Sequence, residues 1–209
     1  LHLLAGGERP DTGTVSLDGQ LLSTYSAASL ARRRAVLTQE QSLLFPFTVR
    51  DVVAMGSLLA ASDEDIEHCL RYFSAAELIN RQYLSLSGGE RQRVQIARVL
   101  LQLLPSLKAG DPAYLFLDEP LNALDLNHQF ALMALLESLR DRGFAIACVI
   151  HDLVLAHRFA DQVWVLSNGR LVAQGGAVAV INERLLDEVF MLPAQPRKVM
   201  ASLLDCAAR

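Results

Sequence analysis

Short apolar runs alternate with longer amphipathic segments along most of this chain. Three apolar runs are short enough to be buried strands: 35–38, 114–117 and 145–150. Three longer segments repeat apolar residues at helical spacing: 90–104, 126–141 and 153–159. Strands that alternate with helices in this way predict a parallel sheet covered by helices, and therefore an α/β fold.

The rest of the pattern predicts smaller elements. Residues 41–84 are mainly helical in pattern, and Ser62 is a good N-cap because three acidic residues follow it in the first turn. The helix that it opens places four apolar residues on one face: Ile66, Cys69, Leu70 and Phe73. Near the end of the chain, 162–166 and 170–173 flank Asn168 and Gly169, which predicts a tight hairpin.

Residues 86–90 read Leu-Ser-Gly-Gly-Glu and open a long predicted helix. The first turn of a helix offers unpaired backbone N–H groups and the positive end of the helix dipole to an anion. Gly88 and Gly89 let a phosphate approach the backbone closely, because neither residue has a Cβ atom. Serine followed by two glycines is usually an ordinary loop, so this motif indicates a phosphate site only in combination with others.

A second motif follows, in which the apolar run 114–117 ends in Asp118 and Glu119. A buried parallel strand delivers carboxylates to the carboxyl edge of its sheet in this way. One carboxylate there can hold Mg²⁺, and the next can polarise an attacking water. Strands that end in acids are common, but the two motifs together predict nucleotide hydrolysis.

Composition narrows the classes of protein to which this chain can belong. The chain has 209 residues, which suits one domain with an appendage, and with 52% hydrophobic residues it can bury a sizeable core. No apolar run reaches about 18 residues, so we expect no membrane span. A net charge of −4 gives no support to nucleic-acid binding. The cysteines are widely spaced, which predicts reduced thiols that fill the core: Cys69, Cys148 and Cys206.

With these motifs in place, the chain resembles the ATP-binding subunit of ABC transporters over nearly its whole length. Residues 86–90 resemble the signature motif of that family, and 114–118 resemble its Walker B strand, with Glu119 as the catalytic carboxylate. Three further motifs also fit the order of the family: Gln39 of the Q-loop, the D-loop 122–125 and the switch histidine His151. The resemblance implies a P-loop NTPase (RecA-like) parallel sheet flanked by helices, with an inserted helical subdomain.

The resemblance also implies a role for each residue at the nucleotide. Asp118 and Gln39 are expected to bind Mg²⁺ beside ATP. Glu119 is expected to orient the water that attacks the γ-phosphate, and His151 to hydrogen-bond that phosphate. The protein itself does little covalent chemistry in such a transfer, so catalysis depends on placement and charge neutralisation.

The signature motif implies partners. Four of its residues are expected to complete the ATP site of a second copy of the chain: Ser87, Gly88, Gly89 and Glu90. Asp125 is expected at the interface of this homodimer, where it links the two sites. A transmembrane permease dimer would be the next partner, with a periplasmic substrate-binding protein acting indirectly and no nucleic acid. The expected location is therefore the cytoplasmic face of the bacterial inner membrane, with 45–47 docking on the permease.

One family motif is missing, because the phosphate loop Gly-x-x-x-x-Gly-Lys-Ser/Thr occurs nowhere in the sequence. Residues 1–7 resemble the end of the helix that follows this loop, which Gly6 or Gly7 would terminate. We therefore expect about 40 residues to be missing before Leu1, and no ATP hydrolysis by the chain as written. The ATP-binding domain would span 1–209 and divide in two: the RecA-like core at 1–40 and 99–209, and the helical subdomain at 41–98.

Within the family, segments 31–37, 45–53 and 104–112 resemble hemin importers. Importers of siderophores and vitamin B12 share most of these features, so they stay as alternatives. Three residues depart from the usual family pattern: Leu121 in place of threonine, Asn122 in place of serine and Glu90 in place of glutamine. None of them removes a phosphate or metal ligand, so we expect modest effects.

Two other classes of function are alternatives to the importer: a soluble ABC ATPase and a non-catalytic binding or regulatory protein. A soluble ABC ATPase acting on DNA would carry a very long coiled coil between Gln39 and Ser87, where this chain has a short segment. A ribosomal one would carry two such domains in tandem, and this sequence shows one. A non-catalytic binding or regulatory protein is supported only by the missing phosphate loop. The hypothesis that the motifs favour is the ATPase of a hemin importer.

Overall fold

The computed structural model describes residues 1–39, 43, 45–58, 60–111 and 113–207. Parts of the predicted segments, at 40–42, 44, 59, 112 and 208–209, lie outside the described residues. The chain divides into two compact units, Leu1–Val149 and Ile150–Arg209. Each unit has its own strands and helices.

The first unit combines a short antiparallel ribbon, a parallel sheet and several helices. Its strands are β1 (Ser16–Leu17), β2 (Gln20–Leu21), β3 (Arg34–Leu37), β4 (Tyr114–Asp118) and β5 (Ala145–Val149). Its helices are α1 (His2–Ala5), α2 (Ala27–Arg33), α3 (Val49–Ala54), α4 (Asp63–Arg71), α5 (Gly88–Ala109) and α6 (Leu126–Asp141). Single 3₁₀ turns lie at Leu22–Thr24, Ala76–Leu78 and Tyr83–Ser85.

The parallel sheet has the strand order β3–β4–β5 within the described part of the first unit. Leu37 of β3 lies opposite Leu117 of β4, and Asp118 lies opposite Val149 of β5. Helix α5 packs on β3, and α6 packs on β5. Apolar side chains of α5, β4 and α6 line one small internal space, which places the core between helices and sheet. This parallel sheet with its helices confirms the predicted α/β fold.

Helix α5 is the longest helix among the described residues. It begins at Gly88, runs through Pro105 and ends at Ala109, and the Gly110 that caps it has a left-handed φ of 74°. The predicted end at 104 is therefore too early, although proline removes one helical hydrogen bond. Burial explains the continuation, because Leu101, Leu103 and Leu104 are all buried around the proline turn. The predicted division of the chain between 98 and 99 falls inside this helix and stays a prediction.

Helix α4 follows its sequence pattern closely. The Ser62 side chain accepts a hydrogen bond from the Asp65 N–H at 3.1 Å, as expected for an N-cap. The predicted apolar face is confirmed, since its four residues are buried: Ile66, Cys69, Leu70 and Phe73. Helix α3 starts in the same way, with Thr48 and Asp51 forming a reciprocal capping box.

The cysteines are free thiols, each among the described residues. Burial raises the pKa of Cys69 to about 12, and burial together with the charge of Asp118 raises the pKa of Cys148 to about 12. Both thiols are therefore protonated near neutral pH. Cys206 is exposed, so the prediction that all three cysteines fill the core is wrong for this residue.

The second unit contains a hairpin and four helices among its described residues. They are α7 (Leu153–Phe159), β6 (Gln162–Ser167), β7 (Arg170–Gly176), α8 (Ala177–Val180), α9 (Glu183–Glu188) and α10 (Ala194–Ala207). Asn168 and Gly169 join β6 to β7 with φ values of 50° and 72°, which confirms the predicted turn. The core of this unit is formed by four buried residues: Ile181, Leu185, Leu186 and Leu204.

No helix in the described part of the chain has both the length and the apolarity needed to cross a membrane.

A buried polar pair inside the first unit provides a test of its packing. Gln95 of α5 is 4% exposed and donates through Nε2 to the Tyr83 hydroxyl at 2.7 Å. We expect Tyr83→Phe to lower the free energy of unfolding by about 1–3 kcal/mol, because the buried amide of Gln95 loses its acceptor. Urea unfolding measures this difference.

The matched control is Tyr72→Phe, because Tyr72 is 52% exposed and its hydroxyl can hydrogen-bond to water. This variant should stay within about 0.5 kcal/mol of wild type. Equal losses in both variants would contradict the importance of the Tyr83–Gln95 bond.

Candidate active site

The carboxyl edge of the sheet holds the two acids that the sequence singled out. Asp118 is the last residue of β4, and its side chain is 18% exposed. Its carboxylate lies 3.9 Å from Nε2 of His2 in α1. Glu119 follows immediately with a φ of 48°, a left-handed conformation that is uncommon for residues other than glycine. The chain therefore turns sharply out of the strand at the residue predicted to be catalytic.

Gln39 meets Glu119 although 80 positions separate them in the sequence. Gln39 comes two residues after β3, and Glu119 comes one residue after β4. Parallel pairing of these strands brings both residues to the same edge, where Gln39 Nε2 donates to Glu119 Oε2 at 3.0 Å. The structure thus brings together two of the residues that the motifs predicted separately.

The loop that follows Glu119 is held by side chains that the sequence did not reveal. Gln92 of α5 donates through Nε2 to the Pro120 carbonyl at 2.9 Å. Gln129 of α6 donates through Nε2 to the carbonyls of Leu121 at 3.3 Å and Leu124 at 3.1 Å. A glutamine on a helix looks the same in a sequence whether it faces water or a folded loop, so no signal pointed to them.

The signature serine caps α5. The Ser87 side chain accepts from the Glu90 N–H at 3.3 Å, and the Glu90 carboxylate accepts from the Ser87 N–H at 2.7 Å. Arg81 also pairs with Glu90 at 3.0 Å. The hydrogen bond from the Ser87 backbone holds the pKa of Glu90 below its ordinary value. The acid thus stabilises the helix start within its own chain, and its charge is balanced by Arg81.

The two signature glycines have different surroundings. A Cβ atom at Gly89 would lie 2.7 Å from the Ala123 carbonyl oxygen, which is closer than real Cβ contacts allow. A Cβ atom at Gly88 would lie 3.6 Å from the Ala123 Cβ, an ordinary contact. Gly89 therefore lets α5 approach the D-loop of its own chain, a packing role in addition to the predicted approach of a phosphate.

Asp125 ends the D-loop and caps α6. Its carboxylate accepts from the His128 N–H at 2.9 Å and lies 2.8 Å from His128 Nδ1. The hydrogen bond from the His128 backbone, followed by that of its ring, keeps the pKa of Asp125 below its ordinary value. His128 Nε2 in turn lies 3.3 Å from Arg93 of α5. The D-loop is therefore linked to α5 by polar contacts as well as by packing.

His151 is exposed and lies just beyond the boundary between the two units, in the second one. It follows β5 by two residues and precedes Asp152, which caps α7. Its predicted contact with the γ-phosphate stays a prediction.

The residues at the edge of the sheet suit Mg²⁺ more than a softer metal. Asp118 offers carboxylate oxygens and Gln39 offers an amide oxygen, which are the donors that this ion prefers. No group of three or more His, Cys, Asp or Glu side chains among the described residues is arranged to hold a metal. Mg²⁺ in nucleotide sites usually keeps one or two protein ligands and completes its shell with phosphate and water. Asp118 and Gln39 are therefore enough protein ligands for such a site.

The fold and this edge define an α/β protein of the P-loop NTPase type, and comparisons with known proteins agree. The family described as ABC transporter matches residues 1–122. The hemin import ATP-binding protein HmuV of Hahella chejuensis is 44% identical, over 93% of this chain and 77% of its own length. The protein of the same name from Pseudoalteromonas translucida is 41% identical, over 93% and 77%. The chain therefore belongs to the ABC transporter family.

Solved structures of the family share the fold. A bacterial Atm1-family ABC exporter with ATP bound has a TM-score of 0.74 at 25% identity, over 90% of this chain. This chain spans 32% of that exporter chain. A metal-chelate type ABC transporter in an inward-facing conformation has a TM-score of 0.68 at 24% identity, over 92% of this chain and 72% of its own. Membership of the family confirms the predicted class of transport ATPase and the binding of ATP.

The two glycines of the signature motif can be separated by experiment. We expect Gly89→Ala to lower the free energy of unfolding by about 1–3 kcal/mol, because the added methyl group forces α5 away from the Ala123 carbonyl. Gly88→Ala is the matched control and should be neutral or slightly stabilising, because alanine favours the helix by up to about 1 kcal/mol. Urea unfolding of both variants measures the difference, and indistinguishable variants would refute the close packing at Gly89.

Proposed function

We propose that this chain is the ATP-hydrolysing subunit that powers hemin import through a membrane permease. The similarity to hemin import ATP-binding proteins carries the proposal, because it reaches 44% identity and extends over 93% of this chain. The contact between Gln39 and Glu119 supports the ATPase part, because it places an amide and a carboxylate at the edge where a parallel sheet binds ligands.

The proposed site depends on Mg²⁺, which would neutralise charge on the transferred phosphate when it is bound with ATP. Asp118 and Gln39 would hold the ion through their oxygens. Glu119 would accept a hydrogen bond from the attacking water and orient it. Gln39 Nε2 already restrains the Glu119 carboxylate, at 3.0 Å. His151 would hydrogen-bond the terminal phosphate.

A second copy of the chain would complete each ATP site. The start of α5 offers backbone N–H groups to an anion, and Ser87 and Gly88 are exposed there. Gly89 and Glu90 are partly buried and support this start from within the chain. Asp125 is exposed at the end of the D-loop, where it would meet the other copy.

The remaining partners follow from the same proposal. Phe45 is 67% exposed in a loop before α3, which suits contact with a membrane permease. A periplasmic substrate-binding protein would act through that permease. The subunit would lie on the cytoplasmic face of the bacterial inner membrane, and no nucleic acid takes part.

Glu119→Gln tests the ATPase mechanism in the protein expressed from its complete gene. We expect Mg-dependent phosphate release to fall by at least about 100-fold, because the amide cannot accept a proton from water. ATP affinity should stay within a few-fold of wild type, and an ATP-bound dimer should persist in light scattering.

Glu64→Gln is the control for this experiment, because Glu64 is an exposed acid in the first turn of α4 and its loss removes the same charge. Its rate should match that of wild type. Turnover by the Glu119 variant at the wild-type rate would refute the catalytic role of Glu119.

Growth of a strain that lacks the gene tests which substrate the importer carries. Deletion of the gene should impair growth of the source bacterium on hemin as sole iron source, and complementation with the wild-type gene, but not with Glu119→Gln, should restore it. Growth on a siderophore should be unaffected. Normal use of hemin with lost use of a siderophore would instead assign the subunit to a siderophore importer.

A further inference from the structure

Asn122 makes a contact that its place in the D-loop does not by itself require. Its side-chain amide donates through Nδ2 to Glu119 Oε2, the same oxygen that accepts from Gln39 Nε2 at 3.0 Å. The Asn122 N–H also donates to the Glu119 carbonyl at 3.2 Å, which closes a turn over Pro120 and Leu121. The carboxylate of Glu119 is thus held by two amides that come from different parts of the chain.

We propose that Asn122 is a positioning residue, which holds the carboxylate of Glu119 in its working orientation. This inference rests on the proposed ATPase function, and it adds a residue to it. A glutamate side chain has several rotatable bonds, and a catalytic group that is fixed before substrate arrives avoids the cost of being ordered during the reaction. Asn122 supplies that order from within the chain itself.

The backbone around Asn122 is restrained, so its amide has a defined position. Pro120 is fully buried, and its carbonyl accepts from Gln92 of α5. Gln129 of α6 holds the carbonyls of Leu121 and Leu124 on either side. Two helices therefore fix the turn from which the Asn122 side chain reaches back to Glu119.

The chemistry of the amide suits this task. An asparagine N–H donates a hydrogen bond without carrying a positive charge, so Glu119 keeps its negative charge available for a water. A serine hydroxyl also donates, but the serine side chain is shorter and its donor would reach less far toward Glu119. Gln39 is expected to turn its other amide atom, the oxygen, toward Mg²⁺, whereas Asn122 has no expected ligand role in the proposed site.

A series at position 122, in the protein expressed from its complete gene, tests the role. Asn122→Ala removes the donor, and we expect kcat to fall by about 10- to 100-fold, the size of effect known for residues that orient the ligands of a metal site. KM for ATP should stay within a few-fold. Asn122→Asp keeps the shape but turns a negative charge toward Glu119, so its kcat should fall at least as far. Asn122→Ser keeps a donor and should recover part of the rate.

The controls separate positioning from general damage. Asn127→Asp adds the same charge at an exposed position in the first turn of α6, and its kcat should match wild type. In the Glu119→Gln background, Asn122→Ala should cause no further loss of the residual rate, because residues that act as one unit are not additive. A further loss of 10-fold or more there would overturn the proposal.

A spectroscopic readout tests the contact without ATP. In ¹⁵N-labelled protein, the side-chain amide signal that disappears in Asn122→Ala should shift when Glu119 is replaced by alanine. An unmoved signal would overturn the proposal, and so would a wild-type kcat in Asn122→Ala alongside an inactive Glu119→Gln. Absence of turnover in the wild type would instead overturn the ATPase function, and with it any catalytic role for Asn122.

Discussion

Parallel pairing of β4 with a strand on each side is the constraint on which the site depends. Strand β3 fixes where Gln39 emerges, and β5 pairs with β4 as far as Asp118. A shift of one residue in either pairing would turn the side chains of β4 to the opposite face. The side chains of Leu115 and Leu117 would then no longer face the core in which they are buried. Their burial therefore fixes the register.

Polar contacts within the chain also hold the loop that follows β4. Buried carbonyl groups need partners, since an unpaired one costs about 1–3 kcal/mol. The loop carbonyls accept hydrogen bonds from glutamine side chains of α5 and α6. These bonds connect the two helices to the loop. The signature motif and the D-loop, which the family resemblance treats as contacts with a second copy, are thus first of all contacts with each other.

The sequence predicted the features whose causes are local. Ser62 caps α4 and Asn168 turns the hairpin because each acts on backbone groups a few residues away. The two acids at the carboxyl edge were also predictable, because a buried strand of a parallel sheet places the residues at its end on that edge. The end of α5 was not, because burial outweighed the signal of Pro105. The contact of Glu119 with the D-loop was not predictable for a related reason, because the geometry that brings Asn122 to it exists only in the folded turn.

Helix α5 also has a mechanical consequence. With 22 residues it is about 33 Å long at 1.5 Å per residue. Its first turn packs against Ala123, and its last turn pairs Lys108 with Asp65. Between them, Gln102 donates to the carbonyls of Ala31 in α2 and Arg34 in β3. Because these contacts lie along the whole helix, a displacement of Ser87 would be transmitted through α5 to the sheet at β3 and to α4.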